Sequence, residues 1–145
     1  MTTIAYRDGL LAADTAVFDR GVYCGEAQKI GYLDTPDGRV LFGAAGKLGD
    51  MARFTTWMKS GRTGPRPEFD EEESEALVIE ANGDVHWSGK TDSTQIVGDY
   101  FALGTGFKIA LGAMAAGANA LTAIEICCRL DNYTRAPTHL IALRP

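Results

Sequence analysis

Three turn signals divide the chain into β-hairpins, and they limit its fold more than any other feature of the sequence. Asp8-Gly9 favours a two-residue hairpin turn, Thr35–Gly38 has the composition of a β-turn, and Asn82–Asp84 repeats the signal. The strands predicted around these turns are 2–6 and 10–16, 28–33 and 39–42, and 76–80 and 85–88. Successive hairpins of this kind build antiparallel sheets.

Helical periodicity is confined to three segments. Apolar residues recur at helical spacing from Lys47 to Lys59, small residues fill 107–116, and Thr122, with Glu125 three residues later, predicts the N-cap of a helix that ends near residue 130. One or two further strands are predicted over 95–103 and another over 138–143. The order of elements predicts one α+β domain over residues 1–145, a sandwich of two antiparallel sheets with helices outside them.

Composition excludes several classes of function. The 145 residues carry a net charge of −5 and no basic stripe, so no nucleic-acid surface is expected. No apolar run approaches the roughly 20 residues that cross a bilayer, and the N-terminus lacks the apolar core of a signal peptide. The three cysteines and two histidines have no metal-ligand spacing. We therefore expect a cytoplasmic protein without metal, cofactor or membrane contact.

The second residue is the first candidate for chemistry. Thr2 is small enough for the initiator methionine to be removed, which would expose an α-amine with a pKa of roughly 7.7–8.0. A threonine hydroxyl needs an adjacent base, and here the base and the nucleophile can belong to one residue. Very many proteins begin Met-Thr for no catalytic reason, so Thr2 alone is weak support for this chemistry.

The residues that follow strengthen this hypothesis. The opening TTIAYRDGLLAADT resembles the first hairpin of proteasome β-subunits and of the bacterial HslV peptidase, where the catalytic threonine begins the first strand and an aspartate ends the second. That aspartate is Asp14 here, and Lys29 stands where the family has its catalytic lysine. The small residues 41–46 resemble the turn that leads into the family's first helix, and the resemblance implies that Gly46 supplies an oxyanion-hole N–H.

Two later motifs extend the resemblance over most of the chain. Gly104-Thr105-Gly106 matches the family's Gly-Ser-Gly turn, and 131–134 resembles its Asp-x-x-Ser motif. The resemblance therefore implies that Thr105, Asp131 and Thr134 support the nucleophile. Ala45 and Lys47 are the candidates for residues that line the substrate pocket.

The resemblance implies a function and an architecture. The expected protein is a threonine endopeptidase of the N-terminal nucleophile hydrolase superfamily, with peptides or unfolded proteins as substrates and an acyl-enzyme intermediate. It would work in a homo-oligomeric ring, with an ATP-dependent unfoldase as a possible partner. The fold implied is a four-layer αββα sandwich. One helical layer is expected to be reduced, because a short loop over 61–74 replaces the family's second helix of that layer.

The register of the first hairpin raises a question about the nucleophile. A two-residue turn at Asp8-Gly9 pairs Thr3 with Asp14 and leaves Thr2 diagonal to it, facing the other side of the strand. Asp14 must then act through Lys29 alone, or else the turn must be longer or contain a bulge. Thr3 is the weaker alternative as nucleophile, because its amine would be free only after two residues were removed.

Other functions remain open at this point. Amide hydrolysis on a non-protein substrate would use the same nucleophile. A non-catalytic proteasome-like assembly or binding subunit would keep the fold and retain Met1. The charge run from Asp70 to Glu75 is interpreted as a solvated acidic loop, and a regulator that binds basic partners through it is a third, weaker hypothesis.

Overall fold

Eleven strands and three helices form the chain, and strands, one helix, strands, two helices and a last strand follow one another as the sequence predicts. The computed structural model describes residues 1–145. The first part of the chain contains β1 (Thr3–Arg7), β2 (Leu10–Asp14), β3 (Ala16–Asp19), β4 (Val22–Glu26), β5 (Ile30–Thr35), β6 (Gly38–Ala45) and α1 (Leu48–Lys59). The second part contains β7 (Glu75–Ile79), β8 (Val85–Ser88), β9 (Ser93–Ile96), β10 (Tyr100–Gly104), α2 (Phe107–Ala115), α3 (Ala120–Leu130) and β11 (Thr138–Ala142).

Two antiparallel sheets form the centre of the molecule. The first has four strands in the order β10-β1-β2-β11, and the second has five in the order β5-β6-β7-β8-β9. The turn at Asp8-Gly9 pairs Arg7 with Leu10 and Ile4 with Ala13, so it is the two-residue turn that its sequence predicts. Both central residues of this turn have positive φ, as a hairpin turn of this length requires.

Three buried clusters hold the layers together, and they confirm the predicted α+β sandwich. Ile4, Leu41 and Leu77 belong to the core between the two sheets. A second cluster, which includes Phe42 and Phe54, joins α1 to the outer face of the five-stranded sheet. A third, which includes Ile124, joins α2 and α3 to the outer face of the four-stranded sheet. The molecule is therefore layered helix, sheet, sheet, helix.

The layer that contains α1 is reduced, as expected. Residues 61–74 form no helix, and Phe69 from this loop is 2% exposed and packs edge-on against Phe54. An aromatic ring buries about 150–250 Å². One side chain of the loop therefore covers apolar surface that a second helix would otherwise cover.

Two local predictions were wrong or incomplete. Strands β3 and β4 form a hairpin of their own around Arg20-Gly21, which the sequence analysis did not identify. The third helix begins at Ala120, and its N-cap is Asn119, whose side chain accepts a hydrogen bond from the Thr122 N–H at 2.8 Å. Thr122 therefore lies in the first turn and is not the N-cap. None of the three helices is long and apolar enough to cross a membrane.

Candidate active site

A cleft of about 1080 Å³ opens beside Thr2, at one end of the two sheets. Thr2 is 2% exposed and immediately precedes β1, which places it at the end of a central strand. Its hydroxyl lies 4.0 Å from the Met51 Sδ atom, and its carbonyl oxygen accepts a hydrogen bond from the Thr105 N–H at 2.8 Å. The backbone of Thr2 is therefore held in place by the turn that follows β10.

Lys29 is the buried cation of this site. Its side chain is 1% exposed, and its Nζ atom donates to Asp14 Oδ1 at 3.0 Å, to the Ala16 carbonyl at 2.6 Å and to the Met1 carbonyl at 2.9 Å. An ammonium group has three hydrogens, so these three acceptors use all of them. Burial lowers the pKa of Lys29, and the Asp14 carboxylate partly offsets that effect.

Asp14 is completely buried and organises the surroundings of Lys29. Besides the lysine, its carboxylate accepts hydrogen bonds from the Thr3 N–H at 3.0 Å and the Arg135 N–H at 3.2 Å. The hairpin register places Asp14 opposite Thr3, and no longer turn or bulge is present. The sequence left two alternatives: a longer or bulged turn, or an action of Asp14 through Lys29 alone. The structure shows Asp14 in contact with Lys29 and not with the hydroxyl of Thr2.

Met1 occupies the position in front of the candidate nucleophile. The Met1 carbonyl belongs to the peptide bond with Thr2, and Lys29 Nζ lies 2.9 Å from its oxygen. The amide geometry then places that ammonium within about 5 Å of the Thr2 nitrogen. Burial, and after it the charge of Lys29, lower the pKa of the Met1 amine. The lysine is thus directed at the atoms that would change if Met1 were removed.

The three polar residues predicted from the later motifs lie together in one network. Asp131 Oδ2 accepts hydrogen bonds from the Thr105 hydroxyl at 3.0 Å and the Thr134 hydroxyl at 2.5 Å. The Thr134 hydroxyl also lies 2.7 Å from the Thr3 hydroxyl, which in turn accepts from the Gly106 N–H at 3.0 Å. This network connects the end of α3 to β1 and to the turn after β10.

The same network argues against Thr3 as the nucleophile. Thr3 is 0% exposed, and its hydroxyl has partners on both sides in Thr134 and Gly106. Thr3 is also absent from the lining of the cleft, whereas Thr2 is part of it. A hydroxyl that is buried and already hydrogen-bonded cannot reach a substrate without disrupting these contacts.

Gly46 is fixed at the cleft by its neighbour Ser74. Its φ of +124° is accessible to glycine, and a Cβ atom at this position would collide with the Ser74 Oγ atom and lie 2.6 Å from the Ser74 Cα atom. The Ser74 hydroxyl accepts from the Lys47 N–H at 3.1 Å and donates to Asp50 Oδ2 at 2.7 Å. Glycine is therefore required here for close packing as well as for backbone conformation.

The acidic loop is ordered by Asp50, a role that the sequence analysis missed. Asp50 is 0% exposed and accepts from the Asp70 N–H at 2.8 Å and the Glu71 N–H at 3.2 Å, in addition to Ser74 and Arg53. Only a contact between residues about twenty positions apart reveals this role, and no local pattern signals it. The interpretation of 70–75 as merely solvated was therefore incomplete.

The two residues guessed as pocket lining do line the cleft. Ala45 and Lys47 both border it, as do Glu71, Glu73 and Glu75 from the acidic loop. Lys47 Nζ lies 3.3 Å from Asp70 Oδ2 and 3.8 Å from Glu71 Oε1. The structure thus brings Thr2, Gly46 and the acidic loop to one cleft, with Lys29 and Asp14 behind it.

Comparison with solved structures identifies the class of fold. The chain is similar to Anbu from Hyphomicrobium sp. strain MC1, a proteasome-like protein, in a Gly-1 mutant form (TM-score 0.75, 13% identity, covering 99% of this chain and 82% of that one). It is also similar to Thiobacillus denitrificans BPH, both bound to epoxomicin (TM-score 0.62, 15% identity, covering 99% of each chain) and without it (TM-score 0.60, 15% identity, covering 99% and 98%).

Sequence comparisons give no closer assignment. No protein-family model matches the chain, and no curated protein matches it significantly. At identities of 13–15% the structural similarity establishes the fold alone, which is the fold of these proteasome-like structures. The resemblance of the opening hairpin to this class agrees with that fold.

Proposed function

We propose that this protein is a threonine endopeptidase whose nucleophile is the Thr2 hydroxyl, active once Met1 has been removed. The observation that carries the proposal is the position of Lys29. Its buried ammonium donates to the Met1 carbonyl at 2.9 Å and is fixed by Asp14 at 3.0 Å, so it points at the peptide bond of Thr2. Removal of Met1 would free one of its three donors beside the new α-amine.

The first chemical step needs no residue outside this group. The Thr2 α-amine takes the proton of the Thr2 hydroxyl, and Oγ attacks the carbonyl carbon of the substrate peptide bond. The charge of Lys29 stabilises the developing alkoxide and lowers the pKa of the amine, so that the amine is a neutral base near pH 7. Asp14 keeps the lysine protonated and oriented.

The later steps use the turn at Gly46 and the network around Asp131. In this proposal the Gly46 N–H stabilises the oxyanion of the tetrahedral intermediate, an interaction typically worth about 10²–10³ in rate. When the carbon–nitrogen bond breaks, the Thr2 ammonium gives its proton to the leaving amine and an ester remains on Oγ. Water then hydrolyses the ester. Thr105, Asp131 and Thr134 hold the Thr2 backbone and the turn in register during both steps.

The structural neighbours support a peptidase. Thiobacillus denitrificans BPH has been solved with epoxomicin, a proteasome inhibitor, bound to it. That neighbour spans the same length as this chain, with 99% of each covered. We therefore expect epoxomicin to be a useful probe of this protein as well.

The decisive experiment joins intact mass with peptide cleavage. We expect the mature protein to lack the mass of Met1 and to cleave fluorogenic peptides, and the Thr2→Ala variant to have lost this activity. The Thr63→Ala variant, at an exposed threonine that does not line the cleft, is the matched control and should keep its activity. Undiminished cleavage by Thr2→Ala would show that Thr2 is not the nucleophile.

A non-catalytic subunit is the second candidate, and one observation favours it. With Met1 in place, the Lys29 ammonium has all its hydrogens engaged and does not contact the Thr2 hydroxyl. A chain that keeps Met1 would therefore hold the fold with a closed site. Intact mass separates the two proposals: full retention of Met1, together with no cleavage, supports the binding or assembly subunit.

We also propose that the protein acts in a homo-oligomeric ring that an ATP-dependent unfoldase supplies with substrate. The support for this proposal is the resemblance of the sequence to proteasome β-subunits and HslV. Native mass spectrometry of the purified protein tests it. A closed ring of several copies is expected, and a monomer at all concentrations would contradict the proposal.

A further inference from the structure

The acidic loop is part of the cleft wall beside Gly46. Ser74 lies against Gly46 so closely that a single added carbon would collide with its backbone. The residues on either side of it, Glu73 and Glu75, both line the cleft. Asp50 fixes this segment through Ser74 and through the N–H of Glu71. Two carboxylates therefore stand at a defined place next to the proposed oxyanion position.

Glu75 faces inward. Side chains alternate along a strand, and Leu77 and Ile79, which share its face of β7, belong to the core between the two sheets. Glu75 is half-buried, and it is the residue of β7 paired with Ala45. Burial raises its pKa, and a hydrogen bond from the Gly104 backbone partly opposes this. Glu75 therefore has a backbone donor but no cationic partner, and a partly buried carboxylate gains from an approaching cation.

The ion pairs of the loop leave these two glutamates free. Asp70 and Glu71 pair with Lys47, and Glu72 pairs with Lys90 at 3.4 Å. Neither Glu73 nor Glu75 lies within 4.0 Å of a cationic group. The charged residues of the cleft lining are three glutamates, one lysine and Met1 with its α-amine, so the carboxylates outnumber the basic groups. Its charge is therefore complementary to a cation.

The remaining walls suit an extended peptide. Leu77, Trp87 and Ile96 give the cleft an apolar floor that can cover the methylene stem of a long side chain. On the opposite side, the consecutive residues 100–105 all line the cleft, and β10 is an edge strand of its sheet. An edge strand presents unpaired N–H and C=O groups, to which an extended peptide can hydrogen-bond.

We propose that this cleft selects peptides that carry a lysine or arginine side chain near the bond presented to Thr2, with Glu73 and Glu75 as the residues that determine this specificity. The inference rests on the proposed function, because it names the substrate class of the same site. The alkyl stem of the basic residue lies on the apolar floor, and its charged end approaches the two carboxylates. Replacing a lysine by norleucine removes the charge and keeps the stem.

The test measures binding separately from cleavage. Fluorescence anisotropy of dye-labelled decapeptides is measured on the full-length Thr2→Ala variant, with lysine or norleucine at one central position. We expect about tenfold tighter binding of the lysine peptide. Adding Glu73→Gln and Glu75→Gln should reduce the preference to about twofold or less. Equal affinity for both peptides, or a preference that survives the double change, overturns the inference.

A matched control lies in the same loop. Glu72 is adjacent in sequence but does not line the cleft, so Glu72→Gln should keep the tenfold preference and shows that overall charge is not the cause. Circular dichroism confirms that the variants are folded. If the Met1-free protein cleaves norleucine and lysine peptides equally well, this inference fails and the proposed function stands. If the lysine peptide binds more tightly but the Met1-free protein cleaves no peptide, the proposed function fails and this inference stands.

Discussion

Two buried carboxylates lie behind the cleft, and they serve it in different ways. Asp14 and Asp50 are both 0% exposed and both accept several hydrogen bonds. The partners of Asp14 include the fully buried ammonium of Lys29, which is directed at Met1 and Thr2. The partners of Asp50 are two backbone N–H groups, the Ser74 hydroxyl and the half-exposed Arg53.

This difference assigns Asp14 to the proposed chemistry and Asp50 to the shape of the cleft. Asp14 keeps a positive charge inside the protein, where it can act on reacting atoms. Asp50 makes no contact with that cation, and its hydrogen bonds fix the loop that forms one wall. Changes near Asp14 should therefore lower the rate of cleavage by more than the loss of folded protein explains. Changes near Asp50 should mainly lower the free energy of unfolding.

The largest effect is expected from Lys29→Met. The variant should lose at least about 10³-fold in peptide cleavage, because the charge that stabilises the alkoxide in the proposed mechanism is gone. It should also unfold more easily by about 3–5 kcal/mol, since Asp14 is left buried without its cation. Fluorogenic cleavage and urea denaturation measure the two quantities.

The double variant Lys29→Met/Asp14→Asn is the control for that result. Removing both members of a buried pair costs much less stability than removing one. We expect the double variant to regain most of the stability and none of the activity. Recovery of both together would mean that Lys29 acts only by stabilising the fold.

A smaller effect on catalysis, with a loss of stability of about 3 kcal/mol, is expected from Asp50→Asn. The amide has one acceptor oxygen where the carboxylate presented two to Asp70, Glu71 and Ser74. Hydrogen exchange should become faster at the N–H groups of Asp70 and Glu71. Asp37→Asn, at an exposed turn, is the matched control. Unchanged exchange in Asp50→Asn would contradict the role given to Asp50.

Acid should remove part of the contribution of Asp50. Burial alone would raise the pKa of Asp50, but hydrogen bonds from Asp70, Ser74 and Glu71 and the charge of Arg53 hold it below its usual value. A carboxyl of lowered pKa stabilises the fold above its unfolded pKa of about 3.9, and this stabilisation is lost as pH falls through the folded pKa. The difference in unfolding free energy between wild type and Asp50→Asn should therefore become smaller as the pH is lowered from 5 to 2.5. A constant difference would argue against this assignment.

The smallest effect is expected from Ser74→Ala, about 1–2 kcal/mol in urea denaturation. The change leaves the Lys47 N–H without its acceptor and removes one donor from Asp50. Ser60→Ala is the comparison, because that hydroxyl is exposed and bonds only to the backbone of Trp57 and Thr63 close by in sequence. If the two variants lose equal stability, the hydrogen bonds of Ser74 with Lys47 and Asp50 stabilise the fold no more than those of an exposed serine.

Local sequence signals predicted the framework of this molecule well. The turn at Asp8-Gly9 set the register of β1 and β2, and the period of the apolar residues located α1 to within one residue at its start. Both signals act over a few residues, where backbone preferences decide the outcome. The order of the elements then sufficed to predict two sheets with helices outside them.

Contacts between distant residues were the part that the sequence did not reveal. Asp50 and Ser74 are 24 positions apart, and the hydrogen bond between them depends on the path of the loop from 61 to 74. The hairpin of β3 and β4 was missed because its turn, Arg20-Gly21, is not among the strongest turn dipeptides. The contact of Lys29 with the Met1 carbonyl depends on how three strands assemble.

The hydrogen bond between Lys29 and the Met1 carbonyl also bears on how the protein should be produced. Any extension that precedes Met1, such as a purification tag, keeps an amide on the Thr2 nitrogen and keeps an acceptor opposite the lysine. Under the proposed mechanism, recombinant material with an N-terminal tag would therefore show no activity in a peptide assay. A tag placed after Pro145 avoids this, and so it is the form to use for every measurement of activity.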